Sequence, residues 1–564
     1  MTGTTSIDLL ASVREFDRYL GDPRDAAALM RTDVAVRLDE RSAFPADALA
    51  AIDAWGLQRH YVPAEHGGKL TDVTAPLLMI RHVARRDVTA AVGHGKTFLG
   101  SVCAWVAGGE IAARTAAIAV TGDPVSWGLT ERGRGSDLSR SATVARGGGP
   151  TVRIDGGKWP IGNATRGRAM TILARTSDEP GPRSLSLLLV DKHDVDPSTL
   201  SYEPKVSTHG IRGADISGIR FTGTTVGGSA FVGPVGHGLE IVLKSLQLTR
   251  TLCTALSVGA ADQALAIALD FATDHRVHGV RLADLPATRR ALAEAVADLL
   301  LAEIVMFVGA RTMHSAPAEM SPVSAFVKVL VPGTVDLLVR DLTDLLGLHS
   351  QFVGFAGAGA FQKAARDSRV VGIFDGNSVV NLNVIINEFP AMARPAPAPE
   401  ISRVLDPLRP GAQAGALAPQ ALRLVSREGP QLLRALPELV ETAPLSAPVR
   451  DAARRVLAEY ETVVLEAAAL PRESQPHPRT FQVAERAALV FGGACALAFG
   501  LARRDALPVP FAGDDAWLAA VLQRVVQRLG GPPIDPAVAD AVTGSARGAR
   551  AAGAAVTVLS DWAG

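Results

Sequence analysis

The chain has 564 residues, 48% hydrophobic and 20% charged, with 57 basic and 57 acidic side chains and a formal net charge of zero. With no basic excess, nothing in the charge argues for nucleic acid or an anionic membrane as partner, and the length suggests about three or four domain-sized units. Three widely separated cysteines, Cys103, Cys253 and Cys495, have no metal-ligand spacing, so a reducing, cytoplasmic setting without disulfides is expected.

The opening MTGTTSIDLL lacks the basic start and apolar core of a signal peptide. Residues 1–120 read as helices: FPADALAAIDAWGLQ carries Phe44, Leu49, Ile52 and Leu57 at roughly helical spacing. Residues 121–235 change to a mostly antiparallel β block, with a strand alternating over Thr151–Asp155 and further strands expected in SLSLLLVD and GIRGADISGIRFTG. Residues 236–390 return to long helical runs, and PAMARPAPAPE within 390–412 reads as a proline-stiffened linker. Residues 413–564 form a further helical block rich in Ala and Leu. Its most apolar stretch, AALVFGGACALAFGLA at 487–502, is expected to be a buried helix, since a membrane span needs about 20 residues. Only eight of the basic residues are lysines.

Four stretches carry chemistry. WGLTERGRGSD, 127–137, offers small residues, hydroxyls and backbone N–H groups that suit an anion or simply a polar turn. It is no Rossmann fingerprint, because only Gly133-x-Gly135 is present. In GGKWPIGNAT, 156–165, Lys158 reads as the exposed end of a strand; in HGIRGADISGIRF, 209–221, Arg212 reads as either catalytic or a surface residue, taken alone the latter. RDSRVVGIFDGNSVV, 366–380, sets Asp375 in an apolar run, either as a turn residue or as a working acid. His275 and His278 have a metal-like spacing but no accompanying carboxylate pair, so no metal is expected.

In this order and spacing the four stretches resemble the acyl-CoA dehydrogenase family. Residues 127–137 are similar to its aromatic-x-L-T-E-P-x-A-G-S-D pattern, 156–163 to G-x-K-x-W-I-(T/S)-N, 210–221 to G-x-R-x-S followed by F, and 366–378 to R-D-A-R-x-x-x-I-Y-E-G-T-S. FPADALAAIDAWGLQRHYVPAEHGG, 44–68, is similar to the family's N-terminal helical motif. The resemblance covers residues 30 to 390. It implies a mostly α, α+β architecture: an N-terminal helical domain, a barrel-like β domain, a four-helix bundle and, beyond the linker, an extra helical domain.

It also implies one FAD per chain and a homodimer or homotetramer. The residues matching the family's FAD contacts are Trp127, Leu129, Thr130, Gly135, Ser136, Pro160, Ile161, Gly162, Arg276, Asp344, Gly347, Phe374, Gly376 and Asn377. The implied substrate is an acyl thioester on CoA or a carrier protein, with an electron-transfer flavoprotein or oxygen as acceptor. Asp375 stands where the family's catalytic glutamate stands and would be the base. Members that place the glutamate before the long-helix arginine offer no alternative, since Thr249 precedes Arg250.

Four departures stand out. Asp375 is about 1.5 Å shorter in reach than glutamate, and a misplacement of ~1 Å can cost on the order of a hundredfold in rate. Pro160-Ile161-Gly162 replaces W-I-(T/S) and removes both a tryptophan and a hydroxyl; RVHG at 276–279 lacks the usual phenylalanine; and Asp344 replaces a glutamine. These changes fit a thioester dehydrogenase of specialised metabolism, or an oxygen-using oxidase or monooxygenase on the same fold. Nitroalkane oxidases of this superfamily use an aspartate base.

Overall fold

The computed structural model describes residues 9–147, 149–471, 473 and 475–559. The expectation for the opening eight residues lies outside the described residues. The chain starts with α1 (Leu9–Leu20), α2 (Thr32–Glu40), α3 (Ala46–Trp55), α4 (Thr74–Ala84), α5 (Val88–Ala107) and α6 (Gly109–Ala119). Helix α4, TAPLLMIRHVA, is buried on every face, so its Arg81 must find partners inside the protein. Arg81 donates twice to Asp262, at 2.8 Å each, and to Glu303 at 2.5 Å.

The β block contains β1 (Val125–Gly128), β2 (Val144–Arg146), β3 (Thr151–Gly162), β4 (Ala169–Arg175), β5 (Leu185–Asp191), β6 (Leu200–Glu203) and β7 (Ile216–Gly227). The sheet order is β1-β4-β2-β3-β7-β6, with β5 also on β4. Most pairs are antiparallel, but β1 and β2 both run parallel to β4. A second, smaller core of Ile154, Ile161, Ile172, Leu188 and Phe221 fills this sheet. The β3–β7 register slips between Lys158 and Ile161, where Pro160 has no N–H to give the ladder. The strand expected in GIRGADISGIRFTG, 210–223, forms only from Ile216. Residues before it turn instead, with Ile211 at φ +47°, because its N–H is held by the Asp367 carboxylate at 2.5 Å.

The bundle follows as α7 (Gly238–Leu252), α8 (Thr254–Asp274), the hairpin β8 (Arg276–Val277) and β9 (Val280–Arg281), α9 (Pro286–Ser315), α10 (Met320–Leu346), α11 (Ala360–Ser368) and α12 (Ser378–Met392). The sequence pattern reads as one helix across 239–274, yet the helix is interrupted at Cys253. There Thr254 Oγ1 donates to the Thr251 carbonyl at 2.6 Å and Cys253 Sγ to the Arg250 carbonyl at 3.3 Å, side-chain bonds that compete with the helical ladder.

The last third comprises α13 (Ile401–Leu405), α14 (Gln431–Thr442), α15 (Ala447–Ala469), α16 (Pro478–Arg503), α17 (Ala516–Arg528) and α18 (Pro536–Ala551). Three helical stretches, Gly238–Asp274, Pro317–Ser350 and Pro478–Arg503, are long and apolar enough to cross a membrane by length and composition, but 78%, 78% and 83% of their most apolar windows are buried within the fold. The stretch 487–502 is thus part of a buried helix. Its Gly492 lets α10 approach: a Cβ there would stand 2.6 Å from Leu330 Cδ2.

Helix α17 docks through Arg524, which donates to Asp298 of α9 at 2.7 and 3.0 Å and to Glu294 at 3.1 Å. Asp298 is fully buried, and breaking a buried pair leaves an uncompensated charge. Arg528 remains 3.5 Å from Asp298, so replacing Arg524 with Ala should destabilise the protein by about 3 kcal/mol in urea unfolding, whereas a loss under about 1 kcal/mol would mean that Arg528 by itself compensates Asp298.

Candidate active site

Asp375 is a turn residue: φ is +55° there and +91° at Gly376, a pair of left-handed positions that Asp and Gly adopt more readily than most residues. Asn377 then caps α12, accepting from the Val380 N–H at 3.0 Å. The turn is pinned by its backbone. Arg250 Nε donates to the Asp375 carbonyl at 3.1 Å. Lys328 Nζ donates to the carbonyls of Val371 and Gly376 at 2.6 and 3.2 Å. These cations bond the main chain and leave the acid alone: Asp375 Oδ2 is buried with no hydrogen-bond partner among the described residues. Burial lowers the Arg250 guanidinium to about 10, and burial also lowers the Lys328 ammonium.

Upstream, the acids and bases of the same motif are structural. Lys363 reaches Asp87 at 2.7 Å and Asp367 at 2.6 Å, joining α11 to the start of α5. Arg366 holds Asp39 at 2.5 Å. Thus α11 is fixed to the N-terminal helices just before the chain enters the Asp375 turn.

Facing the turn is the end of β3. Asn163 Nδ2 donates to the Gly93 carbonyl at 2.8 Å and ties that strand to α5. Lys96 of α5 lies across Gly162, where a Cβ would come within 2.7 Å of Lys96 Cε, and reaches the Phe374 ring, 4.9 Å from Nζ to the ring centre. Beside them is a cavity of about 50 Å³ lined by residues such as Tyr61, Ile80, Leu99, Cys253 and Leu256.

The loop after β1 is built on Glu131. Its carboxylate accepts from Lys158 Nζ at 2.7 Å, Ser141 Oγ at 2.6 Å, the Ala142 N–H at 2.7 Å and the Thr143 N–H at 3.0 Å. Burial would raise this carboxyl, but the Lys158 ammonium and the surrounding donors hold it down at about 2. Lys158 is therefore fully buried, correcting the expectation of an exposed strand end. Thr130 Oγ1 donates to the Pro160 carbonyl at 3.1 Å, and Trp159 is covered by the Arg132 guanidinium at 4.0 Å.

Trp127 and Ile161 are buried in the two cores, and Leu129 packs against the larger one. Gly135 and Ser136 are exposed. Phe374, Gly376 and Asn377 share the Asp375 turn. Among the described residues Arg276 bonds only its own hairpin, through the Gly279 carbonyl at 3.0 Å. Asp344 lies 16 residues beyond Lys328 on α10, about 24 Å along the helix axis. Gly347 follows at that helix's end, so Asp344, Gly347 and Arg276 do not converge on the Asp375 turn within one chain. His275 stacks on Phe271, ring centres 4.7 Å apart, and Arg212 is a partly exposed residue that donates to the His209 carbonyl.

Sequence reasoning missed Lys96 and Lys328 in this site. A signal existed: both stand in apolar helical runs, GHGKTFLG and SAFVKVLV, in a chain with only eight lysines.

The profile of the acyl-CoA dehydrogenase middle domain matches residues 126–224, and that of the C-terminal domain matches 236–389. A probable acyl-CoA dehydrogenase of Mycobacterium tuberculosis is 26% identical over 380 residues, 67% of this chain and 96% of its own. Butyryl-CoA dehydrogenase of Megasphaera elsdenii has the same fold, with a TM-score of 0.61 at 19% identity over 68% of this chain and 98% of its own. A prolyl acyl carrier protein oxidase gives 0.60 at 17% identity over 69% and 100%. The chain belongs to the acyl-CoA dehydrogenase family. It is an FAD-dependent oxidoreductase of that family.

The residues present fit FAD at two places. Gly133 and Gly135 have open space where a side chain would stand, which suits an approaching pyrophosphate. Gly162 presents bare backbone opposite the Asp375 turn, and what crosses it is the flexible end of Lys96. The Glu131–Lys158 pair fixes the loop that joins these two places. Replacing Lys158 with Met should cost about 3–5 kcal/mol at neutral pH. The pH dependence should also change. In the wild type the Glu131 contribution is complete above about 4.5 and is lost as pH falls toward 2. In the variant Glu131 keeps the Ser141, Ala142 and Thr143 donors and the Arg134 guanidinium at 3.6 Å but loses the ammonium, so its carboxyl is held down less and the stability lost on acidification should be smaller than in the wild type. Urea unfolding at a series of pH values measures both.

Proposed function

We propose that the chain desaturates an acyl thioester at Cα–Cβ, with Asp375 as the base. The observation that carries this reading is the half-buried Asp375 carboxylate, whose Oδ2 is buried with no hydrogen-bond partner among the described residues, on a turn whose backbone is pinned by Arg250 and Lys328. A pinned turn with a free acid holds a base in place without neutralising it through a direct ion pair. Asp375 takes the proton from the carbon next to the thioester carbonyl. FAD, when bound, accepts the hydride that leaves the β-carbon, and the product is an α,β-unsaturated thioester. Negative charge then grows on the thioester oxygen, and the nearby cations favour it. The thioester arm is that of CoA or of a carrier protein.

We further infer that a second copy of the chain completes the far end of the cofactor site. Next to Asp344 and Gly347, Leu348, Phe352, Val353 and Phe355 form an exposed apolar group, which another copy would cover.

Oxygen as the electron acceptor is favoured by one observation: Gly162 brings no hydroxyl to the cleft, and a lysine crosses it instead. The similarity to a prolyl acyl carrier protein oxidase supports the same alternative. Anaerobic mixing with short thioesters should bleach the flavin, and subsequent exposure to air separates the two: slow reoxidation supports a dehydrogenase, reoxidation faster than turnover with an artificial acceptor supports an oxidase. Asp375→Asn should slow the bleaching by about 10²–10⁴-fold while leaving thioester binding within a fewfold. Bleaching at the full rate would remove Asp375 from the mechanism.

A further inference from the structure

The cavity beside the Asp375 turn has walls of Leu77, Ile80, Phe98, Leu99, Leu252 and Leu256, and its one charged lining residue is Lys96. Its volume is about 50 Å³. One water-sized group occupies about 10–15 Å³ of such space, so the cavity admits a short chain of about three to five heavy atoms. We propose that the acyl group taken here is short and carries a carboxylate, and that Lys96 receives it. The proposal rests on the thioester reading above and adds the substrate class.

The argument is one of charge. Cys253 in the cavity wall feels the charges of Lys328, Lys96 and Arg250 against one acid, Asp375. Arg250 and Lys328 are committed to backbone carbonyls of the turn. Lys96 is not: its recorded contact is the Phe374 ring, and among the described residues no carboxylate lies within ion-pair distance of its Nζ. A neutral acyl chain filling the cavity would expel water from around this ammonium and leave it without a counter-charge, which is costly in apolar surroundings. A carboxylate on the acyl chain supplies that charge. The alkyl stem of Lys96 already packs on the bare backbone of Gly162, so the position is one where a residue with a side chain at 162 would collide. The lysine and the glycine are therefore coupled.

The test uses the flavin-loaded, full-length protein and pantetheine thioesters, the arm that CoA and carrier proteins share. Butyryl, succinyl and glutaryl thioesters are compared anaerobically by flavin bleaching, and thioether analogues of each, which lack the carbonyl and cannot be oxidised, by calorimetry. Carboxylated ligands should bind at least tenfold more tightly than neutral ones. Lys96→Met should bring the two within twofold, and Lys96→Arg should retain the preference. If Lys96→Met melts at a lower temperature and loses flavin, Lys96→Gln and the wild-type comparison carry the decision. Equal binding of neutral and carboxylated ligands by the wild type, with bleaching intact, overturns this inference alone. So does an equal loss for both ligand types in Lys96→Met, which would assign the ammonium to the thioester oxygen. Failure of every thioester to bleach the flavin would instead sink the underlying thioester reading.

Discussion

The buried guanidinium of Arg81 holds together the parts that make the site. It sits on a helix with no exposed face and is itself inaccessible to solvent. Removing such a charge from water is unfavourable by several kcal/mol, and only well-placed acids offset it. Asp262 supplies a two-point contact from α8 and Glu303 a single one from α9. Glu303 in turn accepts from the Val558 N–H at 2.9 Å and from Thr557 Oγ1. One side chain thus binds the N-terminal helices, the bundle and the tail of the extra helical region into a single arrangement. The active-site cavity lies in the same junction, since Ile80 precedes Arg81 on α4, and Leu252 and Leu256 lie upstream of Asp262 on the α7–α8 run.

The second constraint acts on the catalytic turn. A carboxylate in an apolar run needs its partners satisfied or its charge suppressed. Here the partners go to the backbone. Lys328 and Arg250 bond carbonyls, so the turn is fixed while the acid is left free. The position of the Asp375 Cα is set by α11, anchored through Lys363 and Arg366 to α5 and α2. The acidic and basic residues of the motif therefore divide into one acid left free for the role proposed for it and a set of residues that fix the surrounding backbone.

This division marks how far the sequence could be followed. The helix–strand–helix order was legible because periodicity and glycine turns are local, and the family resemblance was legible because its motifs are short and ordered. Asp375 stood out for the same reason. The break at Cys253 was not legible, since it depends on side chains bonding carbonyls that a helical pattern would use otherwise. Lys158 was misread as exposed because its partner, Glu131, is 27 residues away. The coupling of Lys96 to Gly162 spans 66 positions, and the loss of a hydroxyl at 162 looked like a defect only while the lysine that fills the space was unseen.

The lysines deserve a physical explanation of their own, because the chain otherwise uses arginine. Among the described residues, Lys158, Lys328 and Lys363 are buried, three of eight lysines, against six of the far more numerous arginines. Each buried lysine points one compact ammonium at more than one acceptor: Lys158 at Glu131 and Ser141, Lys363 at Asp87 and Asp367, Lys328 at two carbonyls of one turn. A guanidinium presents its donors in a rigid planar fork suited to a single carboxylate, as Arg81 does with Asp262. An ammonium has three donors that turn to meet whatever surrounds it. Arginine also gathers more than one carboxylate, as Arg81 and Arg524 do, but the buried lysines bring backbone carbonyls and a hydroxyl to the same point: Lys158 braces the loop after β1, Lys328 the Asp375 turn, and Lys363 the helix that leads into that turn.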